Sequence, residues 1–309
     1  MTIDLLVLGD VNPDLVLRGG DVTPAFGQAE HLVDEARLTV GGSGAILACG
    51  AARLGLRVAI VGVVGDDLFG AFMRERLAER GVDVRGLVVD REQPTGLSVV
   101  LSGDADRAIL TCLGTIAALR APMIDGRLLE SARHVHVSSF FLQRSLMPDI
   151  PELFADAHAS GATTSIDPNW DPSGDWDIGL DDLSVDVLMP NEMEATRLAH
   201  TSDLEVAIAV LRRHVPTVVV KAGERGATAV APDERAAAPP MHIAAVDTTG
   251  AGDSFDAGFL AARLGGEPLE RCLAIANACG ALSTRAAGGV DAQPTMQEAL
   301  EAIERGGSA

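Results

Sequence analysis

The chain has 309 residues, 47% of them hydrophobic, which is ample for one large α/β domain with a buried core. Its 24 basic and 44 acidic residues leave a formal net charge of −20, a field that repels nucleic acid and anionic membranes. Cys49, Cys112, Cys272 and Cys279 lack metal-ligand spacing, no apolar run reaches the roughly 18 residues of a membrane span, and MTIDLLVLGD reads as a first strand without a signal peptide, so a soluble, cytoplasmic protein is expected.

In chain order, apolar runs predict strands at Leu5–Leu8, Val58–Val64, His134–Val137, Thr163–Ile166, Val185–Met189 and Thr217–Val220. Amphipathic stretches at Ala45–Leu54, Phe69–Arg80, Asp149–Ala159, Asp203–His214, Ser254–Leu264 and Leu269–Ser283 predict helices between and after them. Near-continuous apolar strands alternating with helices imply a mostly parallel sheet covered on both faces. Ligands of such sheets sit outside the carboxyl ends of the strands. Asp10–Asp14, Ser138–Gln143, Asp167–Asn169, Asn191 and Lys221 all follow predicted strand ends, which predicts one active-site edge.

Two segments break the alternation. LVLRG, ARLTV, GLVVD, TGLSVVLSG and RAILTCL read as short antiparallel strands within 11–40 and 86–113. The expected organisation is a core of 1–10, 41–85 and 114–309 with these two segments as a separate β unit. The tail after Gly306 is expected to fray.

The string DTTGAGD at 247–253 carries the most chemistry. Gly250, Ala251 and Gly252 are small residues at a helix entrance, where unpaired N–H groups and the helix dipole hold an anion. Asp253 stands beside them. A carboxylate there suits a general base that deprotonates a hydroxyl while the amides stabilise a transferring phosphoryl group. An N-capping Asp after a glycine turn is the structural alternative.

DTTGAGDSFDAGFL resembles the C-terminal signature of the ribokinase family, the PfkB-type carbohydrate kinases. GDVNPD at 9–14 resembles that family's first-strand substrate motif, and GGSGAILACGAARLG at 41–55 its N-terminal signature. VGDDLFG at 64–70, PNEME at 190–194 and KAGERGA at 221–227 follow in the family's order. The resemblance implies a ribokinase-like three-layer α/β/α domain with a small β-sheet lid over the substrate. It implies an ATP-dependent kinase acting on a hydroxyl of a small-molecule acceptor, with magnesium.

By this resemblance, Asn191 and Glu194 form the family's N-x-x-E, with Glu194 fixing magnesium through water. The boundary at Asn191 is equally a helix cap. Lys221, Gly223 and Gly226 fall on the nucleotide loop, and Asn277 where the family approaches adenine. Asp247 and Thr249, with the loop 284–291, would hold a monovalent cation such as potassium. Asn12 and Asp14 would hydrogen-bond sugar hydroxyls, although NPD is also an ordinary turn. Gly41 and Gly42 allow close backbone approach. Ser43 and Ile46 stand where relatives often carry lysine and asparagine, and Asp171 stands where ketodeoxygluconate kinases carry arginine. These departures point to a neutral sugar acceptor. A nucleoside kinase of the same fold is the alternative, followed by a ligand-binding regulator without catalysis. A dinucleotide oxidoreductase lacks its G-x-G-x-x-G after the first strand. His134 and His136 share a strand face and read as a packed pair. The apolar faces of Val16, Leu38, Val99 and Leu101 would permit a homodimer through the lid.

Overall fold

The computed structural model describes residues 2–103 and 107–306, so residues 104–106 of the second β segment and the tail after Gly306 lie outside the described residues. The chain opens with β1 (Ile3–Leu8), β2 (Asn12–Arg18) and β3 (Glu35–Gly41), then α1 (Ser43–Arg53), β4 (Val58–Gly65), α2 (Leu68–Glu79) and β5 (Asp83–Asp90). Next come β6 (Leu97–Ser102), β7 (Arg107–Cys112), α3 (Gly126–Ser131), β8 (Ala132–Val137), α4 (Ile150–Ala159) and β9 (Thr163–Ile166). The second half holds β10 (Val187–Leu188), α5 (Glu192–Leu198), α6 (Leu204–Leu211), β11 (Thr217–Lys221), β12 (Ala227–Val230) and β13 (Arg235–Ala238). Helices α7 (Ala251–Leu264), α8 (Leu269–Ser283) and α9 (Met296–Gly306) close it.

A nine-stranded sheet runs in the order β13-β12-β11-β10-β9-β8-β1-β4-β5, parallel except for the β11–β12–β13 meander. Alternation along β1 feeds both layers: Leu5 and Val7 join the core under α1, α7 and α8, while Leu6 and Leu8 join the core under α4 and α5. Both sheet faces are therefore dry, as the unbroken apolar strands required. From β1 the chain winds first toward β5 and later toward β11. Its carboxyl end is thus the switch point where such sheets bind ligands.

A four-stranded sheet, β3-β2-β6-β7, stands apart from the large one. Two expectations about it are corrected. GLVVD belongs to β5, which pairs in parallel with β4 at the edge of the large sheet. The β4–α2–β5 crossover returns the chain alongside β4, and Gly86 admits the Ile60 carbonyl, which would lie 2.7 Å from an added Cβ. The strands are also not all antiparallel: β2 and β6 run parallel, because the chain reaches β6 only after crossing the large sheet. Register makes the small sheet two-faced. Asp14 pairs with Ser98 and Ser98 with Thr111 on one face, whereas Leu15, Leu38, Val99 and Leu110 share the other. Val16 is buried on the Asp14 face and so cannot share a surface with Leu38.

The predicted strand Val185–Met189 shrinks to two paired residues, and α3, α9 and the β12–β13 hairpin were not anticipated. No helix among the described residues is long and apolar enough to cross a membrane.

Candidate active site

The carboxyl ends of β1 and β8–β11, the N-terminus of α7 and the Asp14 face of the small sheet enclose a cleft of about 880 Å³. Gly250 caps α7 in the left-handed region, φ 71°, and a Cβ there would lie 2.9 Å from the Gly289 Cα and from Ile46 Cγ2. Only glycine fits this turn. Gly250, Ala251, Gly252 and Asp253 all line the cleft, and Asp253 is 9% exposed in the first turn of α7. Burial pushes the Asp253 carboxyl well above the usual carboxylate range, Asp167 adds to this, and Lys221 opposes it. The Ser43 hydroxyl bonds Asp253, and Asn169 Nδ2 donates to the same hydroxyl at 2.8 Å. The geometry is that of a proton-seeking carboxylate beside an anion hole.

At the β1 end, Asp10 accepts from the backbone N–H groups of Ser43 (3.0 Å) and Gly44 (2.9 Å), clamping the glycine turn to β1. Gly42, φ 78°, brings its backbone beside the Asp10 carbonyl, 2.8 Å from where a Cβ would stand. Gly41 packs against the Asp14 carboxylate, which any Cβ would strike. Asn12 and Asp14, both buried, stand on the cleft wall, and Asn12 Nδ2 lies 3.5 Å from Asp14 Oδ1 and from Ser98 Oγ. Polar groups thus cluster at this end. Ile109, Leu113, Ile116, Leu142 and Trp170 form an apolar outer wall, with Arg144 among them.

Asn191 and Glu194 make a capping box at the start of α5: Glu194 N–H donates to Asn191 Oδ1 (2.9 Å) and Asn191 N–H donates to Glu194 Oε2 (2.8 Å). Glu194 still lines the cleft. Burial, then Asp167, raise its carboxyl to about 7, against the pull of Lys221 and the Asn191 N–H. Lys221 ends β11, but its ammonium is not free. It donates to Asp167 Oδ2 at 3.0 Å and Asp256 Oδ2 at 2.9 Å. Burial works against the charge, yet Asp167, Asp256 and Glu194 hold it above the usual lysine range.

Not every predicted residue reaches the cleft. Gly223 lines it, while Gly226, φ 85°, is packed against the Ala238 carbonyl and serves the β11–β12 turn. Asn277 spends its amide on the carbonyls of Ala238 (3.2 Å) and Pro239 (2.9 Å) and is absent from the lining. Asp247 lies behind the lining. Its Oδ1 accepts from Thr249 N–H (2.9 Å) and Oγ1 (2.7 Å), and its Oδ2 from Gly288 N–H (2.9 Å), tying the α7 approach to the 284–291 loop. Thr249 faces the cleft. Asp171 accepts from Ser173 and from the Trp176 N–H, closes its own loop and does not line the cleft, although its neighbours Trp170 and Pro172 do. His134 and His136 are buried and bond Thr163 and Ser165, and burial lowers them to about 4 and about 3, a packed neutral pair.

The strand-end pattern puts Asp10, Asp167 and Asn169 at the active-site edge without giving them a role, and nothing in the motifs flags Asp256. Asp256 sits three residues after Asp253 on α7, on the same helix face.

The pfkB family carbohydrate kinase model matches residues 2–296. The chain is 35% identical over 289 residues to an ATP-dependent ribose-1-phosphate kinase of Halopiger xanaduensis, covering 91% of this chain and 92% of that one. It is 35% identical over 273 residues to a fructokinase of Klebsiella pneumoniae, covering 82% and 88%. An E. coli protein described as ribokinase II, solved with ATP and Mg2+, superposes with a TM-score of 0.86 at 29% identity, over 98% and 99% of the two chains. Arabidopsis thaliana ribokinase with ribose and ATP shares the fold, with a TM-score of 0.84 at 24% identity over 98% and 99%. With the signature motifs gathered at one cleft, the chain belongs to the pfkB family of carbohydrate kinases.

Proposed function

We propose that the protein transfers the γ-phosphoryl group of ATP to a hydroxyl of a neutral sugar, with Asp253 as general base. The observation that carries this is Asp253 itself, buried and proton-seeking, one residue after a glycine-built anion hole. Asn12 and Asp14 orient the sugar, and Gly41, Gly42 and Ser43 bring backbone and hydroxyl close to it. The acceptor O–H bond breaks toward Asp253 as its oxygen attacks phosphorus, and the bond from phosphorus to the ADP oxygen breaks opposite. The amides of Gly250, Ala251 and Gly252 stabilise charge on the moving phosphoryl group.

Asn191, Gly223 and Lys221 form the phosphate side of the nucleotide site, while Gly226 and Asn277 support it from behind. Glu194 presents a buried carboxylate to the cleft, the hard oxygen chemistry that suits magnesium held through water. Magnesium there would neutralise phosphate charge. A monovalent cation beside Asp247 and Thr249 is supported by the carbonyl-rich loop that Asp247 ties down. The small sheet, 11–40 with 91–113, acts as a lid that excludes water. Its outer face carries Leu38 and Leu110, 37% and 60% exposed, in support of a lid-to-lid homodimer. Four free cysteines and a need for ATP support a cytoplasmic location.

One observation favours a second reading of the acceptor. Arg144 lines the cleft, exposed and without an ion pair or hydrogen bond among the described residues, and would welcome a sugar phosphate. The test is ATP turnover with magnesium on a panel of sugars, their phosphates and nucleosides. Higher kcat/KM on free sugars supports the first reading, and a clear preference for phosphorylated sugars replaces it with the second. Preference for nucleosides, or no turnover at all, defeats both.

A further inference from the structure

Beneath the N-terminus of α7, three buried ionisable side chains from three elements meet. Lys221 is the one lysine among the chain's 24 basic residues. Its two carboxylate partners, Asp167 at the end of β9 and Asp256 in the second turn of α7, are 4% and 0% exposed. An ammonium has three N–H donors. Two are spent on Asp167 and Asp256, and Lys221 still lines the cleft, with Gly252 so close that a Cβ there would lie 3.9 Å from Nζ. The third donor is available to a phosphoryl oxygen held at the α7 amides.

Stability alone does not account for this cluster. Buried ion clusters are commonly no more stabilising than apolar side chains of the same volume. The placement of charge is more telling. Burial opposes the Asp167 charge most, but Lys221 together with the other groups around it keeps the carboxyl below its usual range. Burial pushes Asp256 well above that range, against the pull of Lys221, so of the two carboxyls Asp256 is the one shifted toward its neutral form. Lys221 thus faces one carboxyl held toward its charged form and one shifted the other way. By taking one of the ammonium's donors, Asp256 Oδ2 fixes the direction of the others.

We propose that Asp256 is a positioning residue for phosphoryl transfer, holding the Lys221 ammonium against the anion hole of α7. The proposal rests on the kinase reading above. It makes α7 bifunctional: Asp253 in its first turn faces the acceptor, and Asp256, one turn later, fixes the cation that faces the phosphoryl group. Lysine suits this place better than arginine, because a compact ammonium satisfies two carboxylates and a third partner at once.

The test is steady-state kinetics on the best acceptor of the panel with wild type, D256A, D256N, K221M and D256A/K221M. D256A is expected to lower kcat about tenfold to a hundredfold. Both KM values should stay within about threefold, since a misaimed group that acts only in the transition state leaves ground-state binding intact. D256N keeps an oxygen for Lys221 and should stay within about threefold of wild type, and the double variant should be no slower than K221M, because both changes remove one interaction. D256A with kcat within about twofold of wild type, or losses that multiply in the double variant, overturns the proposal. Should D256A not fold, D256L fills the site with apolar atoms and carries the same comparison. A wild-type enzyme that phosphorylates nothing defeats the kinase reading instead, so the two failures are distinct.

Discussion

At the β1 end of the cleft, the Asp10 carboxylate is received by two backbone N–H groups, of Ser43 and Gly44, within one turn of α1. At the β11 end, Asp167 and Asp256 share one cation, Lys221, brought from 54 and 35 residues away in the chain, and only Asp167 takes a backbone N–H as well, from Asn169. Backbone donors are part of the fold, and no substitution short of proline deletes one. A side-chain donor can be deleted, and it leaves two carboxylates in the dark. The acceptor end is therefore built for rigidity. The proposed phosphoryl end gathers three raised carboxyls, Asp253, Asp256 and Glu194, against Asp10 at the other end, and shifted groups cluster where chemistry uses them. Substitutions at the two ends should differ in kind as well as in size.

The largest effect is expected from Asp253→Asn, which keeps the shape of the phosphoryl end and removes its base. Turnover should fall by roughly 10²–10⁴, the usual range for a positioned general base, while binding of an ATP analogue, read by calorimetry, stays near wild type. A rate within twofold of wild type would show that the buried carboxylate is merely a first-turn residue of α7. Lys221→Met comes next. It strands Asp167 and Asp256 without their cation, and breaking a buried pair from one side costs about 3–5 kcal/mol of stability. Urea unfolding at pH 8 measures it. A loss below about 1 kcal/mol would mean that the end behaves like a surface ion pair and that the contrast drawn here fails.

The same contrast governs what the sequence made legible. Asp253, Gly250–Gly252 and the Asn191–Glu194 box are local patterns, complete within a turn or two of helix, and each is found where its motif predicts. Strand ends flag Asp10 and Asn169 but give them no role, because their partners at the start of α1, Gly44 and Ser43, are 34 and 126 residues away in the chain. Lys221 was read as a phosphate contact on a loop. Its two carboxylates are set by which strands neighbour in space, and no periodicity in the chain encodes that. The small sheet was anticipated as a unit, yet GLVVD was assigned to it wrongly. A short β-rich run does not reveal its sheet, and only the crossover from β4 decides. Gly226 and Asn277 match family positions, but their backbone contacts belong to the β11–β13 meander and its following loop.

At the acceptor end, Asp14→Ala should be felt by the sugar alone. Leaving buried hydroxyl groups without a partner costs about 1–3 kcal/mol, or one to two decades in kcat/KM for the acceptor. The KM for ATP should hold, because Asp14 reaches the cleft from β2 while the proposed phosphate side lies at the ends of β10 and β11 and the start of α7. Equal damage to both substrates would show that the small sheet shapes the whole cleft and that the two ends are not separable.

The smallest effect is expected at Glu194, and its dependence on pH sharpens the comparison. Its carboxyl is raised to about 7 from an ordinary 4.5 by burial and then by Asp167, so near neutrality the ligand-free protein holds a proton there part of the time. The sign follows from linkage: a carboxyl raised on folding gives stability that is fully present below the unfolded value, 4.5, and is lost as pH rises through about 7. Glu194→Gln keeps the capping geometry and removes that titration. Thermal unfolding of the ligand-free variant should therefore lose less stability than wild type between pH 5 and 8. The same change should raise the magnesium concentration for half-maximal rate by about tenfold, the lower bound for losing an outer-shell metal partner. That gap should be widest above pH 7, where wild-type Glu194 is charged, and should close toward pH 6, where it is already neutral like glutamine. A magnesium titration that is the same for both proteins at pH 8 would reduce Glu194 to half of a capping box, with no part in the phosphoryl end.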